Sequence, residues 1–236
     1  MSEPVSVIIN VFNEADTIEK EVRDIYLKII SQIPGSELII AEDGSGDGTH
    51  EMIEKLAKEL PSVIHSTSLE RKGYTKAFRD AVNLAKNPWI FFSDTGGKND
   101  FGDFYKLYAL RNGVDLVIGT RHGRTDQMYR QVLTWGYNKL LQLYFGLNTT
   151  DADSGFRLYK TLPLKIVANQ EWIFKNLISS EIVIRLHYMN ANIKEIPVVY
   201  RQRKGESRGL PPRKIPSVII DSLKKIPKLK KAVQLL

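Results

Sequence analysis

The 236-residue chain has no cysteine, which excludes disulfides, thiolate metal sites and cysteine nucleophiles and fits a reducing interior. It has no apolar run approaching ~18 residues, so no segment reads as a membrane-spanning helix. The first ten residues, MSEPVSVIIN, are too short and too acidic a stretch for a signal peptide. There is no G-x-S-x-G and no G-x-x-x-x-G-K-[ST], so serine-hydrolase and P-loop chemistry have no support. Histidine is scarce: His50, His65, His122 and His187 are the whole set, and no two have metal-ligand spacing.

What is present is an ordinary globular balance, 42% apolar and 26% charged, with room for one large α/β domain or two small ones. The net charge of +7 is unevenly spread. Residues 201–236 hold 11 Lys/Arg against 2 Asp/Glu, so the body is nearly neutral and the tail strongly basic. Such a tail reads as a nucleic-acid arm, a membrane-surface anchor or a solvated end. It lacks the interleaved aromatics of a single-strand channel, so no nucleic-acid partner is expected. Ile215, Val218, Ile219, Leu223, Ile226, Leu229 and Val233 lie among its lysines, broken by Pro216 and Pro227. This pattern predicts one or two basic amphipathic helices suited to an anionic membrane surface, or a helix packed on the body with a lysine-rich outer face.

Strand and helix patterns alternate through about residue 120. Val5–Val11, Glu37–Ala41, Val63–Thr67, Trp89–Ser93 and Val114–Gly119 read as strands, the first mostly apolar as a buried parallel strand is. Between them, Ile18, Val22, Ile25, Tyr26 and Ile29 make one helical stripe, with Asp16 and Glu19 as its cap. Thr49 caps a helix carrying Met52, Ile53, Leu56 and Leu60, and Tyr74–Ala85 makes a third helix. The second half is less regular: helix Gln127–Phe145, strand Gly155–Tyr159, helix Glu171–Asn190 and strand Ile193–Tyr200. The alternation predicts an α/β fold, a doubly wound and mostly parallel central sheet flanked by helices. Ligands of such sheets bind beyond the carboxyl ends of the strands.

The chemistry-bearing residues follow those strand ends. Glu42-Asp43-Gly44-Ser45-Gly46-Asp47-Gly48-Thr49 matches a calcium loop by position, with Asp43, Ser45, Asp47, Gly48 and Glu54, but a strand precedes it where an EF-hand has a helix. It reads equally as an acid turn holding a nucleotide's base and ribose, or as a tight turn with solvated acids. Asp94, after WIFF and before a glycine pair, could hold a divalent metal between two phosphates or cap a turn. Arg121, Arg124, Arg130, Arg157, Arg203, Lys204 and Arg208 offer phosphate-binding cations, with Arg124 and Arg201 read as solvated.

Taken in order, these motifs resemble family 2 glycosyltransferases, especially the dolichol-phosphate mannosyltransferase and polyprenyl-phosphate glycosyltransferase branch. The resemblance covers about residues 4–208. Ile9-Asn10-Val11-Phe12-Asn13-Glu14 stands where the family has I-P-x-Y-N-E, and Glu42–Thr49 is similar to D-D-G-S-x-D-G-T. Arg71-Lys72-Gly73 with Lys76-Ala77, Ile118-Gly119-Thr120-Arg121, Asp153–Arg157 and Arg203–Arg208 match the remaining blocks in sequence. The resemblance implies a GT-A fold over 1–208, with a nucleotide-binding half at 1–120, an acceptor half at 121–208, and a basic tail at 209–236. It implies that Phe12, Glu14, Glu42 and Asp43 surround the base and ribose of a nucleotide sugar. Asp94 would hold Mg2+ or Mn2+ on the diphosphate, and Arg203, Ser207 and Arg208 would close over it.

One departure stands out. The family's D-x-D followed by glutamine is here Asp94-Thr95-Gly96-Gly97-Lys98, so the second carboxylate is Gly96 and a cation occupies the glutamine position. Either Lys98 partly replaces the metal, or activity is reduced, or Asp100 supplies the missing carboxylate. A sugar hydroxyl acceptor needs a general base, for which Asp153 is the candidate, whereas a phosphate acceptor is already largely a dianion. Arg121 and Arg130, with Thr134 one turn on, resemble the branch's lipid-phosphate site. The expectation is an inverting transfer of a hexose from a GDP-mannose or UDP-glucose type donor to a polyprenyl or dolichyl phosphate. The protein would then sit peripherally on the cytoplasmic membrane face. A hydroxyl acceptor on a glycan or glycolipid, or a nucleotide-sugar-binding module with lost or weak catalysis, are the alternatives.

Overall fold

The computed structural model describes residues 2–68, 70–123, 128–174, 177–201 and 215–235. Seven strands form one sheet in the order β3-β2-β1-β4-β6-β5-β7. They are β1 (Val5–Val11), β2 (Glu37–Glu42), β3 (Val63–Ser66), β4 (Trp89–Asp94), β5 (Leu116–His122), β6 (Phe156–Lys160) and β7 (Ile193–Val199). All pairings are parallel except those of β6, which runs antiparallel to both β4 and β5. That reversal brings the start of β6 beside the end of β4, so Ser93 pairs with Phe156 and Asp94 N donates to Gly155 O at 2.8 Å.

Helices cover both faces, which is why β1 and β2 are apolar on both sides rather than alternating. Successive side chains point to opposite faces. Ile8, Ile39 and Phe92 meet α3 (Tyr74–Leu84), α6 (Thr161–Ala168) and α7 (Ile178–Tyr188) in one core. Val7, Ile9, Ile40 and Phe91 meet α1 (Ile18–Ile25), α2 (Thr49–Glu59) and α4 (Phe104–Ala109) in the other.

Several local expectations change. Asp16 and Glu19 do not cap α1: Thr17 precedes it without a side-chain cap, and the turn closes instead through Glu14 O, which accepts from Thr17 N and Ile18 N at 2.9 Å. The helix then runs on as a π turn, Tyr26–Ile30. Thr49 is the first residue of α2, behind Gly48 at φ +89°. Its Oγ1 bonds Asp47 Oδ1 at 2.5 Å and accepts from Glu14 N at 2.9 Å. The helix expected from Glu171 is described from Ile178, and a buried pair on it engages the residues at 171–174. Glu181 takes the amides of Ile173 and Phe174, and Arg185 Nη2 donates to Glu171 O at 2.8 Å. The short helices α4 and α6 are additions.

The tail is one helix, α8 (Ile215–Val233), with Pro227 inside it. Ile226, Leu229 and Val233 bury against the same core as α7. Lys230 Nζ donates to Tyr144 O at 3.0 Å and lies 5.3 Å from the Tyr188 ring. The helix is therefore docked on the body. Its outer apolar residues Ile219, Ile220 and Leu223 are exposed beside α5 (Met128–Phe145). Among the described residues, no helix is long and apolar enough to cross a membrane.

Candidate active site at the strand ends

The loops after β1 and β2 interlock. Asn13 takes a left-handed conformation, φ +54°, and its N donates to Ser45 Oγ at 2.9 Å while its Oδ1 accepts from Gly46 N at 3.0 Å. Asp43 is buried, and its Oδ1 accepts from Lys72 N and Gly73 N at 2.9 and 2.8 Å, which fixes the loop that starts α3. Gly44, at φ +69°, lets that loop cross it: a Cβ there would lie 2.7 Å from Arg71 N. The Arg71 guanidinium then sits 4.1 Å over the Phe12 ring.

Phe12, Glu14, Glu42 and Asp43 are thus brought together, as expected, but each carboxylate spends oxygen on the protein. Glu14 Oε2 accepts from Thr17 Oγ1 at 2.9 Å. Glu42 is fully buried; Oε1 accepts from Ser45 N at 2.5 Å, and Oε2 has only the His50 imidazole, at 3.6 Å.

Asp94 ends β4, in register with Asn10 of β1. The loop after it is tightly wound: Gly96 and Gly97 have φ +98° and +68°. Gly97 N donates to the buried Glu21 of α1, Asn99 Nδ2 donates to Asp94 O at 3.2 Å, and Arg201 N donates to Lys98 O at 2.7 Å. Burial pushes the Asp94 carboxyl above its usual range, against the pull of Lys98, Arg121 and Arg157.

Facing Asp94 is the loop 151–155, held from several sides. Glu195 of β7 takes Thr150 N at 2.7 Å, Asn138 Oδ1 takes Ala152 N at 2.9 Å, and Ser154 Oγ donates to Gly119 O at 2.5 Å. Arg121, at the end of β5, forms a two-pronged pair with Asp151, Nε to Oδ2 at 2.8 Å and Nη2 to Oδ1 at 2.5 Å. Burial alone would raise Asp151, but the Arg121 fork outweighs it and holds the carboxyl below its ordinary range. Asp153 accepts no hydrogen bond among the described residues, and burial pushes it up to about 6. Arg157, expected among the phosphate ligands, is instead wholly buried. Its Nη1 donates to Ser179 O at 2.7 Å and its Nη2 to Ala152 O at 2.6 Å, so it reaches Asp94 and Asp153 only through its field.

Beyond this loop opens a cavity of about 630 Å3 between α5 and α8. Leu133, Trp135, Leu140, Leu223 and Ile226 give it an apolar wall, and Arg121, Arg130, Thr134 and Asp153 line its polar end. Thr134 Oγ1 is turned back to Arg130 O at 2.8 Å. Arg203, Ser207 and Arg208, with Arg124, Lys204 and Gln127, lie outside the described residues.

The donor set for a divalent cation is thin. Magnesium and manganese take hard oxygens, usually one or two carboxylates together with substrate phosphates. Two carboxylates meet across the strand ends, Asp94 and Asp153, each acting on the other's charge. Asp100 is spent elsewhere: Oδ1 accepts from Gly102 N at 2.9 Å and Lys28 Nζ at 3.3 Å, and Oδ2 from Arg201 at 2.9 Å. Among the described residues no three His, Asp or Glu side chains converge. Asp94 and Asp153 would hold a cation only together with substrate phosphates, and the Lys98 charge already acts on Asp94.

Asp151 and Gly155 were not among the expected site residues. The aspartate pair two apart in Asp151-Ala152-Asp153, directly before Ser154-Gly155, was the available signal.

The family model described as glycosyl transferase family 2 matches residues 6–166. Glycosyltransferase AglD of Haloferax volcanii is 28% identical over 217 residues, covering 86% of this chain, which spans 34% of that protein's length. The undecaprenyl-phosphate mannosyltransferase of Micrococcus luteus is 25% identical over 215 residues, 86% of each chain. Among solved structures, glucosyl-3-phosphoglycerate synthase from Mycobacterium tuberculosis, in complex with Mn2+, uridine diphosphate and phosphoglyceric acid, superposes with a TM-score of 0.68. That match has 16% identity and covers 95% of this chain and 78% of that one, a likeness of fold. The sheet and its flanking helices are the GT-A architecture that the motifs implied, and the matched residues run through the ends of β1, β2, β4 and β5 and the loop 151–155, stopping before β7. The chain belongs to glycosyl transferase family 2.

Proposed function

We propose that the protein transfers a hexose, with inversion, from a nucleoside-diphosphate sugar to a polyprenyl or dolichyl phosphate at a membrane surface. The observation that carries this reading is the cavity between α5 and α8, apolar along its length and lined at one end by Arg121, Arg130 and Asp153. A long prenyl chain fits such a wall, and its phosphate fits the polar end, where Arg130 stands beside the Arg121–Asp151 pair. The name of the Micrococcus luteus relative, an undecaprenyl-phosphate mannosyltransferase, points the same way.

The donor's base and ribose would lie among Phe12, Glu14, Glu42 and Asp43, and its diphosphate beside Asp94. An oxygen of the acceptor phosphate attacks the anomeric carbon. The bond from that carbon to the diphosphate oxygen breaks, and the nucleoside diphosphate leaves. The attacking phosphate is largely a dianion at neutral pH and needs no base. The protein's part is to hold two anions in line and exclude water. Arg121, locked by Asp151, offers a fixed positive charge where one anion sits, while Arg130 stands on the helix facing it. The exposed Val132, Trp135, Ile219, Ile220 and Leu223, with the lysines of α8, form an apolar and basic rim suited to peripheral contact with anionic lipid.

A hydroxyl acceptor is the second reading, favoured by one observation: Asp153, at about 6, has the basicity of a general base near neutral pH. One assay separates the two. With UDP-glucose and GDP-mannose as donors, transfer to undecaprenyl phosphate that survives Asp153→Asn supports the phosphate acceptor. Transfer confined to sugar hydroxyls, and abolished by Asp153→Asn, supports the other.

A further inference from the structure

We propose that the Lys98 ammonium supplies the positive charge on the donor's diphosphate, in place of a protein-held divalent cation. This rests on the reading of the strand ends as a nucleoside-diphosphate site. The first support is the donor set. Asp94 is faced only by Asp153, Asp100 is bound to Gly102, Lys28 and Arg201, and among the described residues no three acids or histidines meet.

The second support is the backbone at position 96. Its φ of +98° is a conformation that an aspartate or any other residue with a Cβ adopts only with strain, so the loop is built for glycine there rather than for a second carboxylate. The third is Lys98 itself. It is partly buried, its charge acts on Asp94, and no hydrogen bond or ion pair occupies its ammonium among the described residues. Its backbone is fixed on both sides, by the Gly97 amide on Glu21 and by Arg201 N on Lys98 O.

A lysine is a compact point charge that serves one or two phosphate oxygens. With its backbone fixed before the substrate arrives, only the lysine side chain has to settle as negative charge builds on the departing diphosphate. Asp94 beside it then orients the lysine and the sugar rather than anchoring a metal.

Calorimetric titration of the whole chain with UDP and with GDP, each in EDTA and in excess Mn2+, tests this. The expected result is saturable binding of one nucleotide in EDTA, changed less than about threefold by Mn2+. In Lys98→Gln that binding falls at least about tenfold, Lys98→Arg keeps most of it, and thermal unfolding shows both variants folded. Binding by the parent protein only with Mn2+, or a Lys98→Gln variant that binds as the parent does in EDTA, overturns the inference and leaves the donor reading standing. Binding of neither nucleotide under any condition overturns the donor reading and the inference together.

Discussion

The carboxylate of Asp94 lies against the backbone of Gly155 with no room between them: a Cβ at position 155 would sit 2.0 Å from Oδ2 and 2.2 Å from Cγ. The glycine of the Ser154-Gly155-Phe156-Arg157 block is there for this approach, since its backbone φ is an ordinary one. Gly155→Ala must displace Asp94 or the 151–155 loop. A shift of about 1 Å at such a site costs about 100-fold in rate, and the strain costs about 1–3 kcal/mol of stability. In an Asp94→Gly background the same alanine should cost almost no stability. A double-mutant cycle by urea unfolding checks this, and additive losses would sink the explanation.

Asp151 and Asp153 are two residues apart and respond to pH in opposite senses. Asp151 is held below 3.8, so its contribution is present above that value and lost as pH falls through its folded pKa. Asp153 is raised from 3.8 to about 6, so the folded state binds its proton more tightly, and stability declines as pH rises between those values. Asp153→Asn should therefore stabilise the protein at pH ~7.5 by about 3 kcal/mol, and by nearly nothing at pH ~4. Asp151→Asn should destabilise it at pH ~7.5 by about 3 kcal/mol, since Arg121 is left buried without a partner. Urea melts of both variants at the two pH values test the signs; equal effects of Asp153→Asn at both would refute the reading of that residue.

The cavity makes a selective prediction. Leu223 is 47% exposed, so Leu223→Glu should fold. A carboxylate on the apolar wall should raise the KM for a long prenyl phosphate at least about tenfold and leave nucleotide binding unchanged, because the change is far from β1, β2 and β4. Loss of nucleotide affinity in this variant would show that the cavity is not an independent acceptor subsite.

Gly44 carries a mainly structural prediction. With φ +69° and Arg71 N where a Cβ would go, Gly44→Ala should cost about 2 kcal/mol and loosen the loop that sets Arg71 over Phe12. Nucleotide affinity should fall with it. A melting temperature equal to that of the parent would contradict the close crossing of the two loops.

Some of this architecture is plain in the residues. β1, β2 and β4 are apolar on both faces, so their burial and their parallel pairing follow from composition alone. The clustering of Phe12, Glu14, Glu42, Asp43 and Asp94 follows too, because parallel strands send their ends to one edge. What the residues do not disclose is tertiary. Arg157 carries the same chemistry as Arg121, and only the fold decides that one is sealed among carbonyls while the other reaches the site. The segment 171–174 has helical character, and the Glu181–Arg185 pair overrides it by taking the amides of Ile173 and Phe174. Asp16 and Glu19 have cap spacing, yet a backbone turn on Glu14 satisfies the helix start first. α4 and α6 are too short for periodicity to declare them.

The family match ends at residue 166, ahead of α7, β7 and α8. One wall of the cavity, with Leu223 and Ile226, therefore comes from a helix outside the matched segment, while the loops after β1, β2 and β4 lie within it. On the proposed reading, donor chemistry and acceptor choice are carried by different stretches of chain. A reshaped terminal helix would then retarget the enzyme without retuning how it breaks the sugar–diphosphate bond.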